Sequence, residues 1–304
     1  MIVPPYLNSG DTVALAAPAR KISRAEIHPA ESFLKKCGFN VFYDERLFAQ
    51  EHQFAGNDEL RAGYFQDLLD DENVKAIWCV RGGYGSARII DKLDFTHFRK
   101  QPKWICGYSD ITVFHSHLHR HEQIATLHTT MPINVTAETM ESAAVQSFLH
   151  AITGKELLYE IPSHPLSRLA EFSGTLVGGN LSMLYSLMGS PSDISTDGKV
   201  LFIEDLDEYL YHIDRMVLNL KRSGKFSNIK ALLVGHLSDM HDNTIPFGKT
   251  AEEIVADHCR ELDIPLIFNV PAGHLPDNRA LRCGCQIEGK YINNQFIIKS
   301  LNHA

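Results

Sequence analysis

From Thr12 onward the chain alternates short apolar runs with longer amphipathic stretches. TVALAAP (12–18) has the length and composition of a strand. A helical pattern follows from Ser23 to Cys37, and Gly38 stands in the C′ position that favours glycine. NVFYDE is a short strand. Asn57 then caps NDELRAGYFQDLLDD, in which Leu60, Tyr64 and Leu68 recur at helical spacing. VKAIWCV (74–80) is almost continuously apolar, as expected of a strand covered on both faces. A helix from Ser86 to Leu93, the strand KWICGY, a histidine-bearing helix and the strand IATLHTT extend the pattern. This alternation predicts an α/β unit, a parallel doubly wound sheet with right-handed crossovers. Ligands on such sheets bind outside the carboxyl ends of the strands.

The second half reads differently. A long helix, Ala137–Thr153, leads into EIPSHPLSRLAEFSG, whose prolines and weak periodicity predict a linker. GTLVGGNLSMLYSLMGSP is a glycine-rich entry to a helix, and KVLFIEDLDE is a strand running into acids. A helix over 209–222, the strand IKALLVGHL, a helix over 249–262 and PLIFNVPAGHLPDN follow, and the tail ALRCGCQIEGKYINNQFIIKS reads as paired strands. The expected organisation is a domain over 1–155, a linker over 156–172 and a second domain over 173–304.

Composition narrows the function classes. The 304 residues are more than one domain usually needs, and 44% hydrophobic with 22% charged residues is ordinary for a soluble globular chain. A formal charge of −8 argues against nucleic acid as a partner. No apolar run approaches the ~20 residues that span a bilayer, and the start lacks the basic region of a signal peptide. Six scattered cysteines do not form a disulfide scaffold, and Cys283 and Cys285 make a lone C-x-C that alternation on a strand explains. The expected setting is a reducing cytoplasm.

The stretch 103-KWICGYSDITVFHSHLHRH-121 holds two candidate chemistries. On a helix, His115 and His119 are neighbours, as are His117 and His121, but the two pairs point in different directions. H-E-x-x-H is absent, so the row reads as a partly exposed amphipathic helix, not a metal site. Ser109 stands where an apolar strand turns into a helix. Such a turn projects a hydroxyl beyond the sheet edge and aims the next amides at any oxyanion formed there. Only half of the G-x-S-x-G elbow is present, and an N-cap role for Ser109 is the competing reading.

A serine nucleophile needs a base, and the base needs an acid to orient it. His274, after an apolar strand and a Pro-Ala-Gly turn, is the candidate base. Glu204 ends the run KVLFIE at a strand's carboxyl end and is the candidate acid. Asp205, Asp207 and Glu208 are expected to be solvated or to cap a helix, Asp207 that of Tyr209 and Arg215. The glycines of 81-RGGYGSAR-88 fit neither phosphate-binding pattern, but they allow a backbone N–H to approach a reacting carbonyl.

Together these segments carry a resemblance. GDTVALAAPA, FAGNDELRAGYFQDLLDD, AIWCVRGGYGSARIIDKLDF, ICGYSDITVFHSHLH, GTLVGGNLSMLYSLMGSP, LFIEDLDEYLYHIDRMVLNL and VPAGH cover nearly the whole chain in order. The chain resembles the LD-carboxypeptidases, the serine peptidase family that also includes the microcin C7 self-immunity hydrolases. The resemblance implies a flavodoxin-like (Rossmann-like) N-terminal domain, a smaller β-rich α+β C-terminal domain and an active site between them. It implies Ser109 as nucleophile, Glu204 as acid and His274 as base. The Asp110 amide and a glycine of RGGYG, Gly83 in preference to Gly82, would form the oxyanion hole. It further implies a cytoplasmic homodimer that needs no cofactor or metal and takes murein tetrapeptides. RGGYG, with Tyr84, and YHIDR look more like the carboxypeptidase branch than the microcin branch. Arg81, Arg215 and Arg279 are the candidates for the substrate's free carboxylate, with Tyr84 beside them.

Overall fold

The computed structural model describes residues 1–301. Its first half runs β1 (Thr12–Ala16), α1 (Arg24–Lys36), β2 (Asn40–Phe42), α2 (Asp58–Asp70), β3 (Val74–Cys79), α3 (Ser86–Ile89), α4 (Thr96–Lys100), β4 (Trp104–Gly107), α5 (Thr112–His121), β5 (Thr126–His128) and α6 (Ala143–Ile152). Local chemistry sets several boundaries. Ser23 and Glu26 form a reciprocal capping box at α1, and the Asn57 side chain accepts from Leu60 N–H at the start of α2. The helix expected from Ala137 begins only at Ala143, because Ser142 caps it there and the preceding residues are turns.

The second half runs β6 (Leu157–Glu160), β7 (Phe172–Asn180), α7 (Leu181–Leu187), β8 (Val200–Leu206), α8 (Leu210–Arg222), β9 (Ala231–Ser238), α9 (Ala251–His258), β10 (Leu266–Ile267), β11 (Leu281–Cys283), β12 (Gln286–Ile292) and β13 (Gln295–Ser300). Two mixed sheets result, in the orders β11-β5-β4-β3-β1-β2 and β10-β9-β8-β7-β12-β13-β6. The first is parallel except for β11, which runs antiparallel to β5. In the second, β7, β8, β9 and β10 are parallel, whereas β12, β13 and β6 join antiparallel.

The two halves interlock more than the linear reading suggests. The segment expected as a linker contains β6, which pairs with β13 at the edge of the second sheet. From the far end of the chain, β11 returns to extend the first sheet, Leu281 opposite His128. One continuous apolar core passes through both halves, from Val13, Trp78 and Phe114 to Phe202, Leu233 and Ile298. A second core lies wholly within the C-terminal half, around Leu201, Met216 and Phe268.

Helix α5 sits at this junction. It was expected to be partly exposed, yet Thr112 to Leu118 are buried because β7 packs against it. Gly179 permits the contact: a Cβ there would stand 2.5 Å from Thr112 Oγ1, and its φ of +147° suits glycine. Among the described residues no helix is long and apolar enough to cross a membrane.

Candidate active site

The carboxyl ends of β1, β3 and β4 carry three loops that meet around Ser109. After Gly107 the chain stays extended at Tyr108, and Ser109 takes φ +63° at the head of a short 3-10 turn, Ser109–Ile111, that opens into α5. Left-handed backbone in a non-glycine residue costs about 1–2 kcal/mol. The N-cap is Tyr108 and no side chain caps the turn, so capping does not explain the serine. His115 braces the turn from behind: Nε2 faces Gly107 O at 3.0 Å and Nδ1 faces Thr126 Oγ1 at 2.8 Å. First-turn amides such as that of Asp110 have no intrahelical partner and point out of the helix start.

The glycine-rich loop after β3 closes over this turn. A Cβ on Gly82 would lie 3.0 Å from Ser109 Cβ, 3.2 Å from Ser109 Oγ and 3.4 Å from the Asp110 amide nitrogen. The glycine seated against the serine is therefore Gly82, whereas Gly83 (φ +106°) faces the Arg20 side chain. Buried Asp110 accepts the Ser86 N–H at 2.8 Å, pinning the loop to the serine turn, and burial raises its carboxyl pKa. Buried Arg61 donates to Pro18 O and to Gly85 O, the latter at 3.0 Å, so the loops after β1 and β3 share one clamp.

The second sheet supplies the other groups. Glu204 stands near the carboxyl end of β8 with 0% exposure, and its Oε2 lies 2.6 Å from His274 Nδ1. His274 follows β10 in a loop closed by Gly273 N–H donating to Asn278 Oδ1 at 2.9 Å. Burial pulls the imidazole pKa down, but the charge and hydrogen bond of Glu204 outweigh it, and the net direction is up from the ordinary value. The His274 ring packs on Tyr108, centroids 4.7 Å apart, which sets His274 beside the turn that carries Ser109. No direct Ser109–His274 hydrogen bond is formed among the described residues. Such bonds are often long before substrate closes the site.

Of the two expectations for Asp205, solvated or helix-capping, the second holds, at the start of α7. It is buried, not solvated, and accepts from Asn180 Nδ2 at 2.9 Å and Ser182 N–H at 2.8 Å, which ties the start of α7 to β8. Burial, with the neighbouring Glu204 charge, raises its pKa to about 7. Asp207 faces His241 at 2.5 Å and does not cap α8, whose N-cap is Tyr209. Glu208 faces His212 at 2.5 Å.

The proposed carboxylate binders are scattered among other duties. Arg81 is 3.7 Å from Glu26, Arg215 lies 5.2 Å over the Tyr211 ring, and Arg279 holds Asp277 through two bonds of 2.9 Å. Tyr84 is 47% exposed and stands near Phe54, with ring centroids 6.1 Å apart. Beyond His115, two more of the histidine row have structural partners, His117 Nδ1 meeting Ser192 Oγ at 2.9 Å and His121 Nε2 meeting Pro191 O at 2.7 Å, whereas buried His119 Nδ1 has no hydrogen-bond partner among the described residues. Sequence patterns had no handle on Tyr108 or Asn278, and although they singled out Gly82 and Asp205 they did not show the long-range contacts these two make. The one local hint was their place within two residues of a strand end or turn.

Comparison with known proteins agrees with this architecture. Residues 13–129 match the LD-carboxypeptidase N-terminal domain and residues 173–288 the LD-carboxypeptidase C-terminal domain. The probable murein peptide carboxypeptidase of Bacillus subtilis is 34% identical over 93% of this chain and 90% of its own length. A muramoyltetrapeptide carboxypeptidase from Oxalobacter formigenes superposes with a TM-score of 0.86 at 28% identity, over 95% of this chain and 98% of that one. The microcin C7 self immunity protein MccF shares the fold, with a TM-score of 0.88 at 18% identity over 99% of each chain.

Proposed function

The chain belongs to the LD-carboxypeptidase family, and from that premise we propose that it is a metal-independent serine carboxypeptidase releasing the terminal D-alanine of murein tetrapeptides. Its triad is Ser109, His274 and Glu204. The carrying observation is the 2.6 Å contact between His274 Nδ1 and buried Glu204, on a ring packed against the residue next to Ser109. Glu204 takes Nδ1–H and leaves Nε2 free as the base.

His274 Nε2 removes the Ser109 proton as Oγ attacks the carbonyl of the L-centre before D-alanine. The Asp110 amide and an amide of the Gly82–Gly83 step hold the oxyanion, and each such donor is worth about 3 kcal/mol. Imidazolium, stabilised by Glu204, then protonates the departing amine. Water repeats the sequence on the acyl-enzyme, and the serine is regenerated. Carboxypeptidase names among the relatives favour murein peptides over the microcin branch. The protein is proposed to work as a cytoplasmic homodimer.

The test is incubation of the protein and its Ser109→Ala variant with defined tetrapeptides, with and without chelator, followed by mass analysis. D-alanine release that is insensitive to chelator and lost in the folded variant is the expected result. Undiminished turnover by the variant removes the mechanism.

A further inference from the structure

An exopeptidase must read the substrate's free carboxylate close to the scissile bond, and the three arginines considered above are engaged elsewhere. Arg20 is different. It is exposed, and no hydrogen bond or ion pair of its guanidinium is found among the described residues. Its backbone is nevertheless fixed. The Arg20 N–H donates to Gly82 O at 3.4 Å, and the Arg61 clamp holds Pro18 two residues earlier. The anchor is rigid while the head is free.

The two glycines of RGGYG separate cleanly on this reading. Gly82 makes room for Ser109. A Cβ on Gly83 would fall 2.2 Å from Arg20 Cδ and 3.2 Å from Arg20 Nε, so Gly83 makes room for the arginine. One residue along the loop, about 3.8 Å between Cα atoms, separates the nucleophile contact from the cation contact. One residue also separates the scissile carbonyl from the terminal carboxylate in the substrate. We infer that Arg20 binds the free C-terminal carboxylate and is the determinant that restricts cleavage to the last residue. This rests on the peptidase reading above. A planar guanidinium suits the task because it can donate two parallel bonds to a carboxylate.

Binding is measured by calorimetry in the Ser109→Ala background, using murein tetrapeptide as free acid and as C-terminal carboxamide, in lysine and diaminopimelate forms. The free acid should bind about 10- to 100-fold more tightly than the amide, the range of a hydrogen bond to a charged group. Arg20→Gln should erase that preference without weakening amide binding, and Arg20→Lys should restore part of it. Equal loss on both ligands, loss on neither, or no binding of the acid overturns the assignment. The peptidase reading is decided separately by D-alanine release from the unsubstituted protein. Arg20-dependent binding without release keeps the carboxylate site and removes the peptidase.

Discussion

Replacing Glu204 by glutamine tests the core of the proposed mechanism, because it removes a charge while leaving the shape. The carboxylate is fully buried, with Oε2 2.6 Å from His274 Nδ1 and no partner on Oε1 among the described residues. Two unit charges about 4 Å apart at an effective dielectric near 20 attract by about 4 kcal/mol. The glutamine oxygen can still accept from Nδ1–H, and a neutral hydrogen bond keeps roughly half the strength of a charged one. The transition state, in which His274 is cationic, should therefore lose about 2–3 kcal/mol, roughly 30- to 150-fold in kcat/KM. The pH profile supplies a second readout. His274 works as a neutral base and Glu204 raises its pKa, so kcat/KM should climb with pH through a limb above the ordinary imidazole value. In Glu204→Gln both raising influences are gone and burial still lowers the pKa, so the limb moves to lower pH. Removing one charge of a buried pair costs stability, so the variant should melt lower than the parent yet remain folded at the assay temperature. Initial rates of D-alanine release between pH 5 and 9, with thermal melts as the folding control, give both quantities. A variant within threefold of the parent, or a limb that stays in place, refutes the reasoning.

Two more outcomes follow from the same geometry. Gly82→Ala places a methyl 3.0 Å from Ser109 Cβ and 3.4 Å from the Asp110 amide nitrogen, so kcat should fall by about 100-fold while urea unfolding shows a folded protein. His115 and His119 are neutral in the fold, burial lowering each pKa to about 4 from the ordinary imidazole value of about 6.5. Their contribution is fully present above the unfolded value and is lost as pH falls toward the folded one. Urea midpoints should therefore be flat above pH 7 and drop between 6.5 and 4, by up to about 1.4 kcal/mol per group per pH unit. His115→Gln should flatten part of that slope, and an unchanged slope counts against the assignment.

How legible this was depended on the range of the interaction. Elements set by local patterns, such as VKAIWCV as a buried strand or Asn57 as a cap, stand where periodicity and capping place them. Elements set by partners far along the chain were opaque. Nothing near Cys283 says that it faces Thr126 across the first sheet, and the prolines around β6 hide its pairing with β13. The glycines of GTLVGGN belong to a strand nine residues long, extended by its neighbours and not by its own propensity. At the site, residue types and strand ends marked Ser109, Glu204 and His274. Adjacent glycines look identical in the sequence, and only the fold shows Gly82 against a serine and Gly83 against an arginine.

The interlocked halves bear on how the proposed triad keeps its register. Ser109 belongs to the first sheet and Glu204 to the second, and a loose hinge between them would spoil a geometry that tolerates errors of only a fraction of an ångström. The path between them is short. Three residues after Ser109, Thr112 Oγ1 accepts the Asn180 N–H at 3.0 Å. Asn180 is the register partner of Glu204 across β7 and β8, and its side chain also holds Asp205. From Ser109 to Glu204 the connection thus runs through one helical turn, one hydrogen bond and one rung of a sheet, with Thr112, Asn180 and Glu204 all buried. The close approach that Gly179 permits between α5 and β7 belongs to the same contact. Helix α5 thus acts as a strut that sets the distance between Ser109 and Glu204, the proposed nucleophile and acid.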